Sequence, residues 1–337
     1  MLELGLGLVF LAVLLGPILL KPIEQNLEIF FLGAGALASA LARKWGKELL
    51  HAALTAPIAL TLAVLVFGTI AKLVRPLLDR EVERLVKVVK PKWIYFGMII
   101  GLGLLSSIIT AVIAALILVE AVALLKLDRR SEVSAVVLAC FAIGLGAGLT
   151  PVGEPLGTIT IVSLKADFWY LTRLLGPLIG AGIVLVGSLS LFLPAKYGHS
   201  LRAELHTEGL REIGTRAAKV YLFVAGLVGL SWGLRPVVDE YITRLPQWAL
   251  FWLNSISAVV DNATLAAAEI GPALTRPQQR GVLMGLLISG GMLIPGNIPN
   301  IVAAGRLGIS SREWARVGLA AGLPLMLICF GALRWLS

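Results

Sequence analysis

Charge is scarce in this sequence. Asp, Glu, Lys and Arg make up 15% of the 337 residues, against about 25% in soluble globular proteins. With 58% hydrophobic residues and a mean hydropathy of +0.91, this scarcity excludes an ordinary soluble domain and leaves a polytopic membrane protein. Cysteine is almost absent. Cys140 and Cys329 both sit in apolar runs, which excludes a disulfide framework and points to packing. The three histidines, His51, His199 and His206, fall at span ends or in a loop and are read as solvated. No GxxxxGK[ST] motif occurs, so nothing in the chain points to ATP coupling. The first apolar run, from Leu4 to Leu20, has no basic leader and no small-residue cleavage site, and is expected to be a retained span. The net charge of +9 is read as a topology signal and implies no nucleic-acid partner.

Apolar runs predict spans at roughly 4–20, 26–42, 51–74, 133–163, 171–193, 217–237, 277–306 and 312–335. Each is long enough for about 30 Å of hydrocarbon. Between the third and fourth, residues 75–92 carry many Lys, Arg and Glu with an apolar stripe of Leu77, Val82, Leu85, Val88 and Val89. That pattern predicts an interfacial helix. The eight tryptophans lie mostly near span boundaries, as an interfacial belt does. Glu24 and Glu28 are placed at the interface.

Two apolar segments do not fit as ordinary spans. Residues 93–125 as one helix would be about 50 Å long, and 247–274 split in two would give helices of about 20 Å. Both are expected to be re-entrant hairpins. Their polar tips are Ser106, Ser107 and Thr110 in the first, and Asn254 through Asn262 in the second. Glu120 and Glu269 lie in the second arms. Charge supports the hairpins. With both in place, one face collects most of the 29 Lys and Arg residues. With both segments crossing once, the basics divide almost evenly. The positive-inside rule puts the richer face in the cytoplasm and both termini outside.

The order hairpin, broken span, ordinary span then occurs twice. The expected fold is an all-α polytopic membrane protein with inverted repeats, each holding a re-entrant hairpin and a broken transmembrane helix. The segments are 1–92 (early spans and interfacial helix), 93–193 (first repeat: hairpin 93–125, broken span 133–163, span 171–193), 194–246 (charged loop and one span) and 247–337 (second repeat: hairpin 247–274, broken span 277–306, span 312–335). Inverted repeats whose broken helices meet near the midplane mark secondary transporters.

The chemistry is expected at the breaks. Thr150 to Thr158 interrupts the first broken span with Pro151, Gly153 and Pro155, and Glu154 stands at its centre. Gly290 to Asn300 interrupts the second with Pro295, Gly296 and Pro299, and adds the amides of Asn297 and Asn300. Such runs cannot stay regularly helical and free backbone carbonyls and amides. Asp261, with Asn262 beside it, is an acid inside an apolar segment, and a carboxylate there is functional by default. Thr150, Thr158, Ser107, Thr110 and Ser257 supply hydroxyl oxygens. The same hydroxyls also fit close helix packing.

At these residues the chain resembles the ion transporter superfamily. It is most similar to NhaD-type sodium/proton antiporters and a related family of predicted cation transporters. Ser257-Ala258-Val259-Val260-Asp261-Asn262 resembles the family's Ser-Ala-x-x-Asp-Asn hairpin motif. Thr150-Pro151-Val152-Gly153-Glu154 is similar to its Thr-Pro-x-Gly-Asp stretch, with Glu in place of Asp. Gly290 to Asn300 occupies the place of its Gly-rich second break. The first hairpin reads Ser-Ile-Ile-Thr where many anion-carrying relatives read Ser-Asn-Thr, and Pro-Gly-Asn-Ile-Pro-Asn departs from the usual antiporter wording. The resemblance implies a scaffold (the early spans with the fifth, sixth and eighth), a mobile transport domain, a homodimer and elevator-like alternating access.

The expected function is antiport of a monovalent cation, sodium first, against protons across the cell (inner) membrane. Sodium would bind at Asp261 and Glu154, and no other cofactor is implied. Hard cations take oxygen ligands, and no Lys or Arg lies in the breaks or hairpin tips. The competing expectation is a sodium-coupled carrier of a dicarboxylate or other anion. A membrane-embedded hydrolase built on Asp261 and Glu154 would need a second chemical signature, which the sequence lacks.

Overall fold

A computed structural model describes residues 2–20, 22–23, 26–58, 61–62, 65–66, 69, 89–125, 127–192, 209–258 and 262–336. Residues 75–88 of the expected interfacial helix and part of the third span fall outside the described residues, as does Asp261. The described chain is almost wholly helical, and five of its helices are long and apolar enough to cross a membrane. It is an all-α, multi-pass membrane protein.

The helices are α1 (Leu2–Leu19), α2 (Leu27–Leu41), α3 (Pro91–Ile109), α4 (Ala111–Leu125), α5 (Arg129–Ala147), α6 (Pro155–Leu164), α7 (Tyr170–Ser190), α8 (Leu210–Tyr241), α9 (Gln247–Leu253), α10 (Asn262–Glu269), α11 (Arg276–Gly290), α12 (Ile298–Leu307) and α13 (Ser311–Trp335). A further helical run covers 47–58. The long helix α8 begins at Leu210, ahead of the start expected for the span at 217–237.

Two packing units position the site. The first is the pair α2 and α8, closed by small residues that let the backbones approach. A Cβ on Gly35 would stand 2.2 Å from Gly226 O, and one on Gly233 would stand 2.4 Å from the Ala38 carbonyl carbon. Ser39 Oγ donates to Gly229 O at 2.7 Å across the same seam.

The second unit is built around α5, which is buried from Ser131 to Ala147 and packs on α3, α4, α7 and α13. It also meets α3 closely, since a Cβ on Gly146 would lie 1.6 Å from Gly103 O. Within this unit the contacts follow a regular plan. α3 packs on α5, and α9 packs on α11. Their successors cross over: α4 packs on α12, and α10 packs on α6.

The breaks are local consequences of sequence. After α5, Thr150 Oγ1 accepts from Val152 N and Gly153 N and donates to Ser107 O. Pro155 then starts α6, at a position where its missing N–H costs nothing. After α11, Asn300 Nδ2 donates to Gly290 O and Leu293 O, both at 2.8 Å, and ties the two sides of the gap together. Pro299 opens the first turn of α12.

Candidate functional site

The two breaks present matched residues. Glu154 is the N-cap of α6 with φ −155° and ψ 163°. Asn297 is the N-cap of α12 with φ −154° and ψ 146°. Neither side chain turns back to cap its own helix. Both are 2% exposed, and both line one small cavity.

That cavity is bounded by the starts of four helices: Thr110 and Ala111 before and in α4, Glu154 and Pro155 at α6, Asn262 at α10, and Asn297 and Ile298 at α12. Its volume is about 20 Å³. Roughly 10–15 Å³ holds one water, so there is room for one small particle and not for two. Across it, Asn262 Nδ2 donates to Glu154 Oε2 at 3.4 Å, which is a long hydrogen bond. Asn297 Nδ2 has no hydrogen-bond partner among the described residues, although it is buried. A buried amide without a partner costs about 1–3 kcal/mol. Turning the amide over would present its oxygen to the cavity instead.

The wall is rigid where backbone meets backbone. Ala111 N donates to Gly153 O at 2.7 Å, which fixes the start of α4 to the first break. Thr110 itself has φ 75°, a strained region for a β-branched residue. Such outliers cluster at ligand sites. Each of the four helix starts also carries the partial positive charge of a helix N-terminus. Among the described residues no Lys or Arg lines the cavity.

Of the residues picked out from sequence, the fold brings Thr110, Glu154, Asn262 and Asn297 together, with Gly153 and Pro155 in the wall. Others stand outside and shape it. Thr158 Oγ1 donates to Pro151 O. Ser107 Oγ is turned to Leu104 O, one turn back on its own helix, at 2.8 Å. Ser257 is fully buried and donates to Leu286 O at 3.4 Å. Thr150 and Asn300 hold the two breaks in the way already described, and Gly296 packs against Ser257 and Gly290. Pro295 is exposed. Asp261, next in sequence to Asn262, lies outside the described residues.

One lining residue has no sequence signal. Phe223 comes from the middle of α8 and closes the cavity from the side of the α2 and α8 pair. An aromatic in an apolar span looks like any other packing residue. A second buried acid lies nearby in the chain. Glu269 at the end of α10 is 2% exposed, and its carboxyl accepts from Asn254 Nδ2 at 2.8 Å.

A family model matches the chain over residues 4–336. The chain belongs to that family, described as protein of unknown function (DUF1646). No curated protein matches its sequence.

Proposed function

We propose that this protein is a secondary active transporter that exchanges a monovalent cation, sodium first, for protons. The single observation that carries this reading is the cavity. It is small enough for one dehydrated ion, is lined by a buried carboxylate and by amide and hydroxyl groups, and has no basic side chain among the described residues of its wall. A dicarboxylate needs several times that space.

The helix order supports an inverted repeat. Helix, break, helix, then broken helix, then long helix occurs from α3 to α7 and again from α9 to α13. Three crossings (α5 with α6, α7 and α8) separate the entry of the first hairpin from that of the second, so the two units run in opposite senses. The crossed packing of α4 on α12 and α10 on α6 is what two interlocked copies of one plan produce. α3 is long enough to cross by itself. In this reading it turns at Thr110 and returns as α4, because α3 and α4 pack on each other and both pack on α5. The two hairpins and two broken helices form the mobile part. The early helices with α7, α8 and α13 form the scaffold of a homodimer in the cell membrane, with both termini outside. Phe223 is then the scaffold's contribution to the site.

The mechanism is competition for one site. Asp261 and Glu154 bind the cation when ionised and protons when neutral. Moving an empty, charged site through a low-dielectric barrier is expensive, and a site whose charge is offset by a bound cation or by protons is cheaper to move. Only loaded forms cross, and exchange results.

The test is reconstitution in liposomes with an internal pH dye, adding sodium, lithium, potassium or a dicarboxylate in turn. Sodium or lithium should drive proton movement. Asp261→Asn and Glu154→Gln should each reduce it to background while the protein stays folded. Wild-type exchange in both variants sinks the proposal.

One observation favours a second reading. Four helix N-termini around one cavity are a favourable setting for an anion, which fits a sodium-coupled anion carrier. A current induced by a dicarboxylate, without proton exchange by sodium alone, would select it.

A further inference from the structure

We propose that the arginine-rimmed cavity between α5, α7 and α13 is a binding site for an anionic phospholipid. The cavity is far larger than the ion site, at about 820 Å³, which is the range of sites for whole organic ligands. Its two ends differ in chemistry. Arg129, Arg130 and Arg316 stand with Glu313 at the mouth, at the starts of α5 and α13. Val133, Leu138, Leu189 and Val317 line the rest. Leu138 lies about 13 Å along α5 from Arg129 at 1.5 Å per residue. A headgroup at the arginines would therefore send an acyl chain two to three turns down an apolar wall.

The charges at the mouth are not all spoken for. Arg129 is engaged on every side: Glu313 at 2.7 Å, Glu132 at 2.8 Å, and the carbonyls of Leu307 and Gly308 at 3.0 and 2.7 Å. It clamps the end of α12 to the starts of α5 and α13. Arg130 and Arg316 are exposed and have no hydrogen-bond or ion-pair partner among the described residues. Even with both carboxylates counted, the mouth keeps a positive sign. Basic pockets between transmembrane helices at the membrane surface bind anionic lipid headgroups, and each Lys or Arg near the surface contributes about 1 kcal/mol. A zwitterionic lipid gains much less there. An aqueous anion would leave the apolar wall uncovered.

This proposal is independent of the transport reading, since it is read by lipid retention alone. The full chain is purified in a neutral detergent and titrated with phosphatidylglycerol or phosphatidylcholine. Bound lipid is measured by native mass spectrometry and melting by thermal shift. Wild type should retain phosphatidylglycerol in preference. Arg130→Gln with Arg316→Gln should weaken that preference about 10- to 30-fold, with the lipid-free melting point unchanged because neither arginine has a partner to lose. Arg312→Gln, on the same helix end but outside the cavity, should keep the preference. Ala320→Trp fills the cavity without altering charge and should lower retention of both lipids. No preference in wild type, or a preference intact in the double variant, overturns the site.

Discussion

The two halves of the molecule carry the same backbone device with different chemistry. Each broken helix resumes as a ten-residue half-helix, α6 or α12, behind an extended N-cap, and each half-helix ends on a left-handed residue. At the N-cap, one half has the carboxylate of Glu154 and the other the amide of Asn297. Backbone symmetry makes the cavity, and side-chain asymmetry gives it a sign. A second carboxylate at the Asn297 N-cap would face Glu154 across a cavity of about 20 Å³ and repel it, and amides at both N-caps would leave the pair without charge. One of each, with Asn262 donating to Glu154, is the arrangement the proposed cation site uses.

The largest expected effect comes from making the halves alike. Glu154→Gln leaves amides at both N-caps and should take sodium-driven proton exchange to background. Adding Asn297→Glu in the same chain moves the carboxylate to the other half. Because the two N-caps share their dihedrals, partial exchange should return. Full silence in the double variant, with the protein folded and Asp261 intact, would mean that the halves are not interchangeable and that the position of the charge matters as much as its presence.

Next are the glycines that let the breaks close. A Cβ on Gly153 would meet Ala147 O at 2.1 Å, and one on Gly296 would meet Ser257 O at 2.4 Å. Both obstacles are backbone and cannot rotate away. Gly153→Ala and Gly296→Ala should each destabilise by about 1–3 kcal/mol or more, Gly153→Ala by the larger amount. Gly305, inside α12 with open space around it, is the control. Gly305→Ala should be neutral or stabilising by up to about 1 kcal/mol. Thermal melting in one detergent compares all three.

Glu269 sharpens the comparison at the hairpins. Among the described residues its hydrogen bond comes from Asn254, whose backbone carbonyl in turn accepts from Ser289 at 2.7 Å, just ahead of the second break. Glu269→Gln keeps an acceptor for Asn254 and should cost little. Glu269→Ala removes it and opens a void, and should cost about 1–3 kcal/mol. Equal melting points for the two variants would remove the hydrogen bond from the account.

Much of this plan was legible in the sequence because proline and glycine act locally. Pro151, Gly153 and Pro155, and Pro295, Gly296 and Pro299, mark the breaks through steric rules that need no tertiary context. The first hairpin tip was harder to place. Ser106 and Ser107 look like tip residues, yet α3 runs on through both. Their hydroxyls bond to Gly103 O and Leu104 O, one turn back, a habit that suits a helix interior. Only Thr110 breaks. The residue types at the site could be read, but not which way their side chains turn. Thr150 and Thr158 have the right oxygens but bond backbone groups, and Asn300 gives its amide nitrogen to Gly290 O and Leu293 O. Phe223 was hidden for the opposite reason, because its type says packing and only its neighbours place it at the site.

The smallest expected effect tests the far ends of the two half-helices. α6 ends on Lys165 at φ 50°, ψ 40°, and α12 ends on Gly308 at φ 61°, ψ 35°. The conformation is the same, and only one of the residues is suited to it. A side chain in this region costs roughly 1–2 kcal/mol that glycine avoids. Gly308 has nothing within 4 Å of its would-be Cβ, so the cost of Gly308→Lys is conformational and not steric. Lys165→Gly should stabilise by about 1 kcal/mol and Gly308→Lys should destabilise by about the same amount. The double swap should melt close to wild type, since the strain has only moved from one half to the other. Imbalance above about 1 kcal/mol would show that Lys165 contributes something beyond strain at its own end.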